Sequence, residues 1–180
     1  MQKQLASVLL ALALALVACA GPASSVAAAN GVRQGVREGD LARDFTLKTL
    51  AGVDKQPATE VSLLAYRGSV VLINFWATWC QPCTDEIPDL EAAYEARQED
   101  GFVVLGVNHE QLPAEIEPFV TALQVTYPIL VDESGRVLRL YRGVGLPMSV
   151  IVDREGVIRV RHVGYLPADQ LDRYLAELLP

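Results

Sequence analysis

The chain has 180 residues, 51% hydrophobic and 21% charged, with a formal net charge of −7 at pH 7. That describes one domain of ordinary size plus appendages, apolar enough to build a core without disulfide staples. The acidity is spread rather than blocked, and no basic stretch could track a phosphate backbone, which argues against nucleic acid as a partner.

The first residues, Met1 to Gln4, carry one lysine and give way to an apolar run from Leu5 to Ala18. The run has the length of a signal h-region and is short for a membrane span. It closes in Leu16-Val17-Ala18-Cys19, which resembles the bacterial lipobox. Residues 1–18 are therefore expected to be a lipoprotein signal peptide and Cys19 the lipidated first residue. The alternative is an ordinary signal peptide cleaved elsewhere, with Cys19 discarded. Either way Cys80 and Cys83 are the remaining thiols, in a compartment that permits disulfides. Lipid on Cys19 would hold the protein at an extracytoplasmic membrane surface without a spanning helix.

Residues 19–39 are rich in Gly, Ala, Ser and Asn with no apolar period, the composition of a flexible tether. The folded domain is expected over residues 40–180. Phe45-Thr46-Leu47 and Val61-Ser62-Leu63 bracket a stretch containing Gly, Lys, Gln and Pro, which predicts a short N-terminal β-hairpin. Val70 to Phe75 is a predicted buried strand, Gln81 to Arg97 a helix, and Phe102 to Val107 a second apolar strand. Pro113 to Leu123 predicts a helix with Ile116, Phe119, Val120 and Leu123 on one face. Two further strands, Met148 to Val152 and Val157 to Val163, are joined by the turn sequence Asp153-Arg154-Glu155-Gly156. Leu171, Tyr174, Leu175, Leu178 and Leu179 give a last amphipathic helix. Apolar strands alternating with helices imply an α/β domain with a mainly parallel sheet covered on both sides. The pattern Val-Asp-x-x-Gly occurs at Val131 and again at Val152, and is read as two similar turns.

Trp79-Cys80-Gln81-Pro82-Cys83 carries the chemistry. The thiols stand where an apolar strand ends and a helix with Ile87, Leu90 and Tyr94 at helical spacing begins. A helix N-terminus offers unpaired N–H groups and a positive dipole end, both favouring thiolate over thiol. That is the setting of a low-pKa, attackable cysteine. Half of a zinc site is the other use of C-x-x-C, but no second such pair is present and His109 and His162 stand singly and far away.

The run Asn74-Phe75-Trp76-Ala77-Thr78-Trp79-Cys80-Gln81-Pro82-Cys83, followed by Glu86 and Pro88, resembles the thioredoxin superfamily, and most of all its exported TlpA/ResA-type thiol–disulfide oxidoreductases. Asp44-Phe45-Thr46-Leu47 and Gly143-Val144-Gly145-Leu146-Pro147 extend the likeness. The resemblance implies a thioredoxin-like fold, a central mixed sheet flanked by helices. It implies a cis bond before Pro147 that exposes the Leu146 backbone for strand-like pairing with a substrate. Leu146 departs from the small or β-branched residue usual there. Asn74 departs from the buried acid of cytosolic thioredoxins; Glu86, one helical turn after Cys83, is the replacement able to take the Cys83 proton. Trp79 is expected on an exposed rim and Trp76 in the core, with Gln81 and Pro82 tuning the helix start and Pro88 kinking the helix. His109 is read as a surface or capping residue and His162 as part of a half-buried strand.

The activity these residues imply is reduction of protein disulfides through a Cys80–Cys83 dithiol, without cofactor or resident metal. Partners would be disulfide-containing substrate proteins, such as apocytochrome c, and a membrane thiol-transfer electron donor. A disulfide oxidase or isomerase uses the same residues at a different potential. A Cu(I)-handling binding module is the rival from another class.

Overall fold

The computed structural model describes residues 33–53 and 57–179. The expected signal peptide, Cys19 and the larger part of the expected tether lie outside the described residues. The strands are β1 (Gln34–Gly35), β2 (Leu41–Ala42), β3 (Thr46–Thr49), β4 (Glu60–Ser62), β5 (Val70–Trp76), β6 (Phe102–His109), β7 (Ile129–Asp132), β8 (Met148–Val152) and β9 (Ile158–Val163). The helices are α1 (Gln81–Arg97), α2 (Pro113–Ala122), α3 (Arg136–Leu140) and α4 (Ala168–Leu178). None of the described helices is long and apolar enough to cross a membrane.

Among the described residues seven strands form one mixed sheet in the order β4-β3-β7-β6-β5-β8-β9. β5 lies inside it, parallel to β6 and antiparallel to β8. Every residue of β5 is buried, which is why Val70–Trp76 reads as an apolar run, interrupted at Asn74 alone, rather than an alternating one. Alternate side chains feed two cores. Val70, Leu72 and Trp76 pack with Ile87 and Leu90 of α1, Ile116 of α2 and Leu171 of α4. Val71, Ile73 and Phe75 pack on the other face with Val137 and Leu138 of α3 and with Tyr141. Helices thus cover both faces, as the pattern required, but the sheet is not mainly parallel. β5–β6 and β6–β7 are parallel and the other four pairings among its described strands are antiparallel, because the β3–β4 and β8–β9 hairpins flank the parallel centre.

The predicted hairpin is β3 and β4, antiparallel, with Leu47 opposite Val61. β3 also pairs antiparallel with β7, so the hairpin extends the main sheet. Both Val-Asp-x-x-Gly segments form the same turn. Gly135 and Gly156 donate to the carbonyls of Asp132 and Asp153, both glycines have positive φ, and each aspartate accepts a backbone N–H four residues on. One turn opens α3 and the other joins β8 to β9.

The folded part begins earlier than residue 40. Residues 33–39 contribute β1, which pairs parallel with β2, and Val36 is buried. Gly39 donates to Ile158 and Ile158 to Asp40, laying this segment along the outer edge of β9. Composition misses this because the anchors are one apolar residue and one aspartate within a polar stretch. Pro88 sits within α1 without ending it; it is exposed, so the bond it cannot donate is lost on the solvent side.

Candidate active site

The chain turns out of β5 through Ala77-Thr78-Trp79 and enters α1 with Cys80 as the N-cap. Cys80 donates its N–H to the Ala77 carbonyl, and its own carbonyl accepts from Cys83 and Thr84 at 3.0 and 3.1 Å, closing the first helical turn. Pro82 fits that turn because a first-turn N–H has no partner within the helix. Cys80 and Cys83 are joined as a disulfide. Cys80 is 6% exposed and Cys83 is 0% exposed, so an external thiol or disulfide meets the sulfur of Cys80. Trp79, at 68% exposed, forms a rim beside it, whereas Trp76 is fully buried.

Glu86, one turn beyond Cys83, is also fully buried. Its Oε1 accepts from Asn74 Nδ2 at 2.7 Å and its Oε2 from the Leu166 N–H at 2.9 Å. Asn74 Nδ2 also donates to Ser149 Oγ at 3.1 Å, tying the acid to β5 and β8 at once. Burial pushes the Glu86 pKa up to about 7, against the lowering effect of the Leu166 and Asn74 donors, and the Asp89 charge adds to the rise. A carboxyl at this pKa exchanges its proton near neutral pH, the range in which a general acid or base works. It is not the solvated glutamate that a helix surface would ordinarily carry.

The Leu146–Pro147 bond is cis and Pro147 is buried. β8 follows directly, with Met148 opposite Phe75 and Ser149 opposite Asn74. Pro147 therefore stands at the end of the sheet from which the chain leaves β5 for Cys80. Leu146 is half-buried and Val144 is 88% exposed, leaving an apolar edge on that loop. Gln81 is exposed and its amide donates to Thr84 and Asp85 of its own helix. His109 ends β6, with Nε2 3.6 Å from Glu110, and the His162 ring lies 2.9 Å from the Tyr165 carbonyl.

Two groups of residues belong to the site that sequence reasoning missed. Gln111 accepts the Thr78 N–H at 2.8 Å and donates to Thr78 Oγ1 at 2.6 Å, while Asn108 Nδ2 donates to the same Gln111 oxygen. This clamp fixes the turn two residues before Cys80. The segment Gly164–Leu166 connects the rest: Gly164 donates to the Pro147 carbonyl, Tyr165 to Asp89 and Leu166 to Glu86. The contacts of Gln111 with Thr78, Tyr165 with Asp89 and Leu166 with Glu86 join residues 33, 76 and 80 positions apart. The sequence carries no local signal for them beyond the Gly-bearing loop after β9.

Comparisons with known proteins agree with this geometry. The AhpC/TSA family model matches residues 39–161. The thiol-disulfide oxidoreductase ResA of Geobacillus thermodenitrificans is 34% identical over 146 residues, 81% of this chain and 80% of that protein. The crystal structure of a putative thiol:disulfide interchange protein DsbE from Chlorobium tepidum superposes with a TM-score of 0.71 at 31% identity, covering 80% of this chain and 99% of that one. The exposed lipoprotein thioredoxin Etrx1 of Streptococcus pneumoniae gives a TM-score of 0.63 at 32% identity, over 76% of this chain and 100% of that one. With a dithiol pair at the mouth of a helix on a seven-stranded mixed sheet, the chain belongs to the thioredoxin-like AhpC/TSA family and is a thiol–disulfide oxidoreductase of the ResA and DsbE type.

Proposed function

We propose that the protein is an extracytoplasmic reductase of protein disulfides, attached to a membrane through lipid on Cys19. The observation that carries the order of attack is the gradient of access: Cys80 keeps a small exposed fraction, 6%, whereas Cys83 and Glu86 are fully buried. In the reduced enzyme the Cys80 thiolate, favoured by the α1 N-terminus, attacks a substrate disulfide. The substrate S–S bond breaks, a Cys80–substrate disulfide forms and one substrate thiolate leaves. The Glu86 carboxylate takes the Cys83 proton; the Cys83 thiolate then attacks Cys80 Sγ, releasing the second substrate thiolate and forming the Cys80–Cys83 disulfide. Two electrons pass from protein to substrate, so each cycle needs a dithiol donor, for which a membrane thiol transporter is the proposed source.

Leu146 and Pro147 supply the edge along which an extended substrate segment pairs, with Trp79 and Pro82 as its apolar border. Cysteines of apocytochrome c before haem attachment are the proposed substrates, on the family resemblance. The lipoprotein name of the Streptococcus pneumoniae relative supports the anchor, as does the Val17-Ala18-Cys19 sequence.

Cys83→Ser tests the order of attack. It is expected to accumulate a mixed disulfide with an oxidised protein substrate, mapped to Cys80 by mass spectrometry, whereas Cys80→Ser accumulates none. Adducts on Cys83 of the Cys80→Ser variant, or none in either, would overturn it. The anchor is tested by the mass of the exported chain, which carries acyl groups at Cys19 and loses them in Cys19→Ala.

A further inference from the structure

Every arginine of the chain lies within the described residues, and most are engaged. They pair with carboxylates, as Arg159 does with Asp153, or cap backbone carbonyls, as Arg161 does at Tyr141 and Arg142. The side chains of Arg37, Arg43 and Arg142 have no ion-pair or hydrogen-bond partner among the described residues, and all three residues line one cleft of about 180 Å³. Arg33 lines it too, and Asp40 is the carboxylate in its wall. Four arginines and one aspartate thus line one cleft in a chain whose formal charge is −7, and of the four guanidiniums only that of Arg33 is paired with the carboxylate.

The cleft is built on fixed backbone. One wall is the segment from Arg33 to Arg43, held to β9 through Gly39, Asp40 and Ile158. Asp40 is 5% exposed; it accepts from Arg33 Nε at 2.7 Å and from the Arg37 N–H at 3.0 Å. A Cβ at Gly35 would stand 2.1 Å from its carboxylate, so glycine is what admits Asp40 there. The Arg37 N–H and the Arg33 guanidinium hold the Asp40 carboxyl below its ordinary value, so its charge is committed to them. Glu38, the other acid of the segment, turns to the Arg161 N–H instead. The opposite wall carries Arg142, a residue with φ of 52° whose carbonyl the Arg161 guanidinium grips.

Grouped guanidiniums repel one another unless an anion sits among them, and their planar forks suit two-point hydrogen bonding to phosphate oxygens. We propose that this cleft binds a phosphate-type oxyanion, held by Arg37, Arg43 and Arg142. Its volume is several times the roughly 30 Å³ that a water takes in the liquid, enough for one such group. The anion is a lipid headgroup or a free phosphate. The lipid source rests on the membrane attachment proposed above, since Arg33 follows Cys19 by only fourteen residues. A headgroup bound here would dock this face of the domain on the membrane surface.

The test uses the full chain in neutral detergent. Inorganic phosphate is titrated calorimetrically into the wild type, into Arg37→Gln/Arg43→Gln/Arg142→Gln, and into Arg97→Gln/Arg139→Gln/Arg173→Gln, which loses equal charge from paired arginines elsewhere. Saturable binding that weakens about tenfold or more in the first variant but not the second is the expected result. The single variant Arg142→Gln repeats the comparison should the triple variant fail to fold. No saturable binding, or equal loss in both variants, overturns the site. Sedimentation with phosphatidylcholine vesicles, with and without phosphatidylglycerol, separates the sources. A phosphatidylglycerol-dependent gain that the first variant loses assigns the headgroup; phosphate binding without that gain assigns free phosphate. Because the phosphate titration involves no membrane, its failure is distinct from a failure of the anchor, and insulin reduction by the same variants reports the dithiol separately.

Discussion

Asn74 Nδ2 lies 2.7 Å from Glu86 Oε1, a hydrogen bond between the central strand and the first helix in which both side chains are fully buried. An amide here can serve both protonation states. It donates to the carboxylate as placed, and with its ends exchanged its oxygen, now without a partner, would accept from the protonated acid. A buried carboxyl with this partner has a measurable effect on stability. Its folded value is about 7 against an ordinary 4.5. Below the ordinary value both folded and unfolded states hold the proton, and nothing is lost. Between the two values the unfolded chain releases the proton and the folded chain retains it, so stability falls as pH rises, by an amount on the order of 3 kcal/mol before levelling above the folded value. Denaturant unfolding of the oxidised protein from pH 4 to 8 is expected to show this slope, and Glu86→Gln to flatten it. An equal slope in the variant would remove Glu86 as its source.

The same proton governs resolution. If the Glu86 carboxylate accepts the Cys83 proton, release of a preformed Cys80 mixed disulfide accelerates as pH rises through about 7. Glu86→Gln should lose that inflection and slow release by about a hundredfold at pH 7.5, the usual scale for one general base. Stopped-flow measurement of release separates this step from the initial attack, which Glu86→Gln should leave much less affected.

Asn74→Asp would set a second carboxylate against Glu86. The pair would titrate as a unit, with one member held protonated well above pH 7. The variant is expected to lose on the order of 3 kcal/mol at pH 8 and to recover most of it by pH 5. Thermal unfolding across that range checks the recovery, which a merely misfitted side chain would not show.

Gln111 acts on Cys80 only through Thr78. Gln111→Ala leaves the Thr78 N–H and Asn108 amide unserved and is expected to cost about 1–3 kcal/mol and to slow Cys80 alkylation in the reduced protein. Gln111→Glu keeps an acceptor for both donors, and the Thr78 hydroxyl can turn to donate; alkylation should return towards the wild-type rate. Failure of that rescue would mean the side chain contributes bulk rather than hydrogen bonds.

Much of this architecture was legible because its causes are local. The apolar run Val70–Trp76, the strand–turn–helix around Cys80 and the helical period of Ile87, Leu90 and Tyr94 each stand in a short window. The helix predicted over Gln81 to Arg97 has those bounds. β7 and α3 were missed: Ile129–Asp132 is four residues long and Arg136–Leu140 five, too short for periodicity to speak. Glu86 could be nominated from its spacing to Cys83 and the resemblance, but its burial depends on Leu166, eighty residues away. Gln111 was unreadable for the same reason. The cleft at Arg37, Arg43 and Arg142 was hidden because two of its arginines sit among polar residues that read as tether or loop, and the third comes from a distant turn.

The reduction potential of the Cys80–Cys83 couple tests the central claim most directly. The full chain in detergent, equilibrated against glutathione buffers and quenched with a thiol-specific mass tag, gives the oxidised fraction at each poise. A reductase requires a value near or below about −220 mV. A value near roughly −120 mV would make the protein an oxidant, reverse the electron flow and contradict the proposed function.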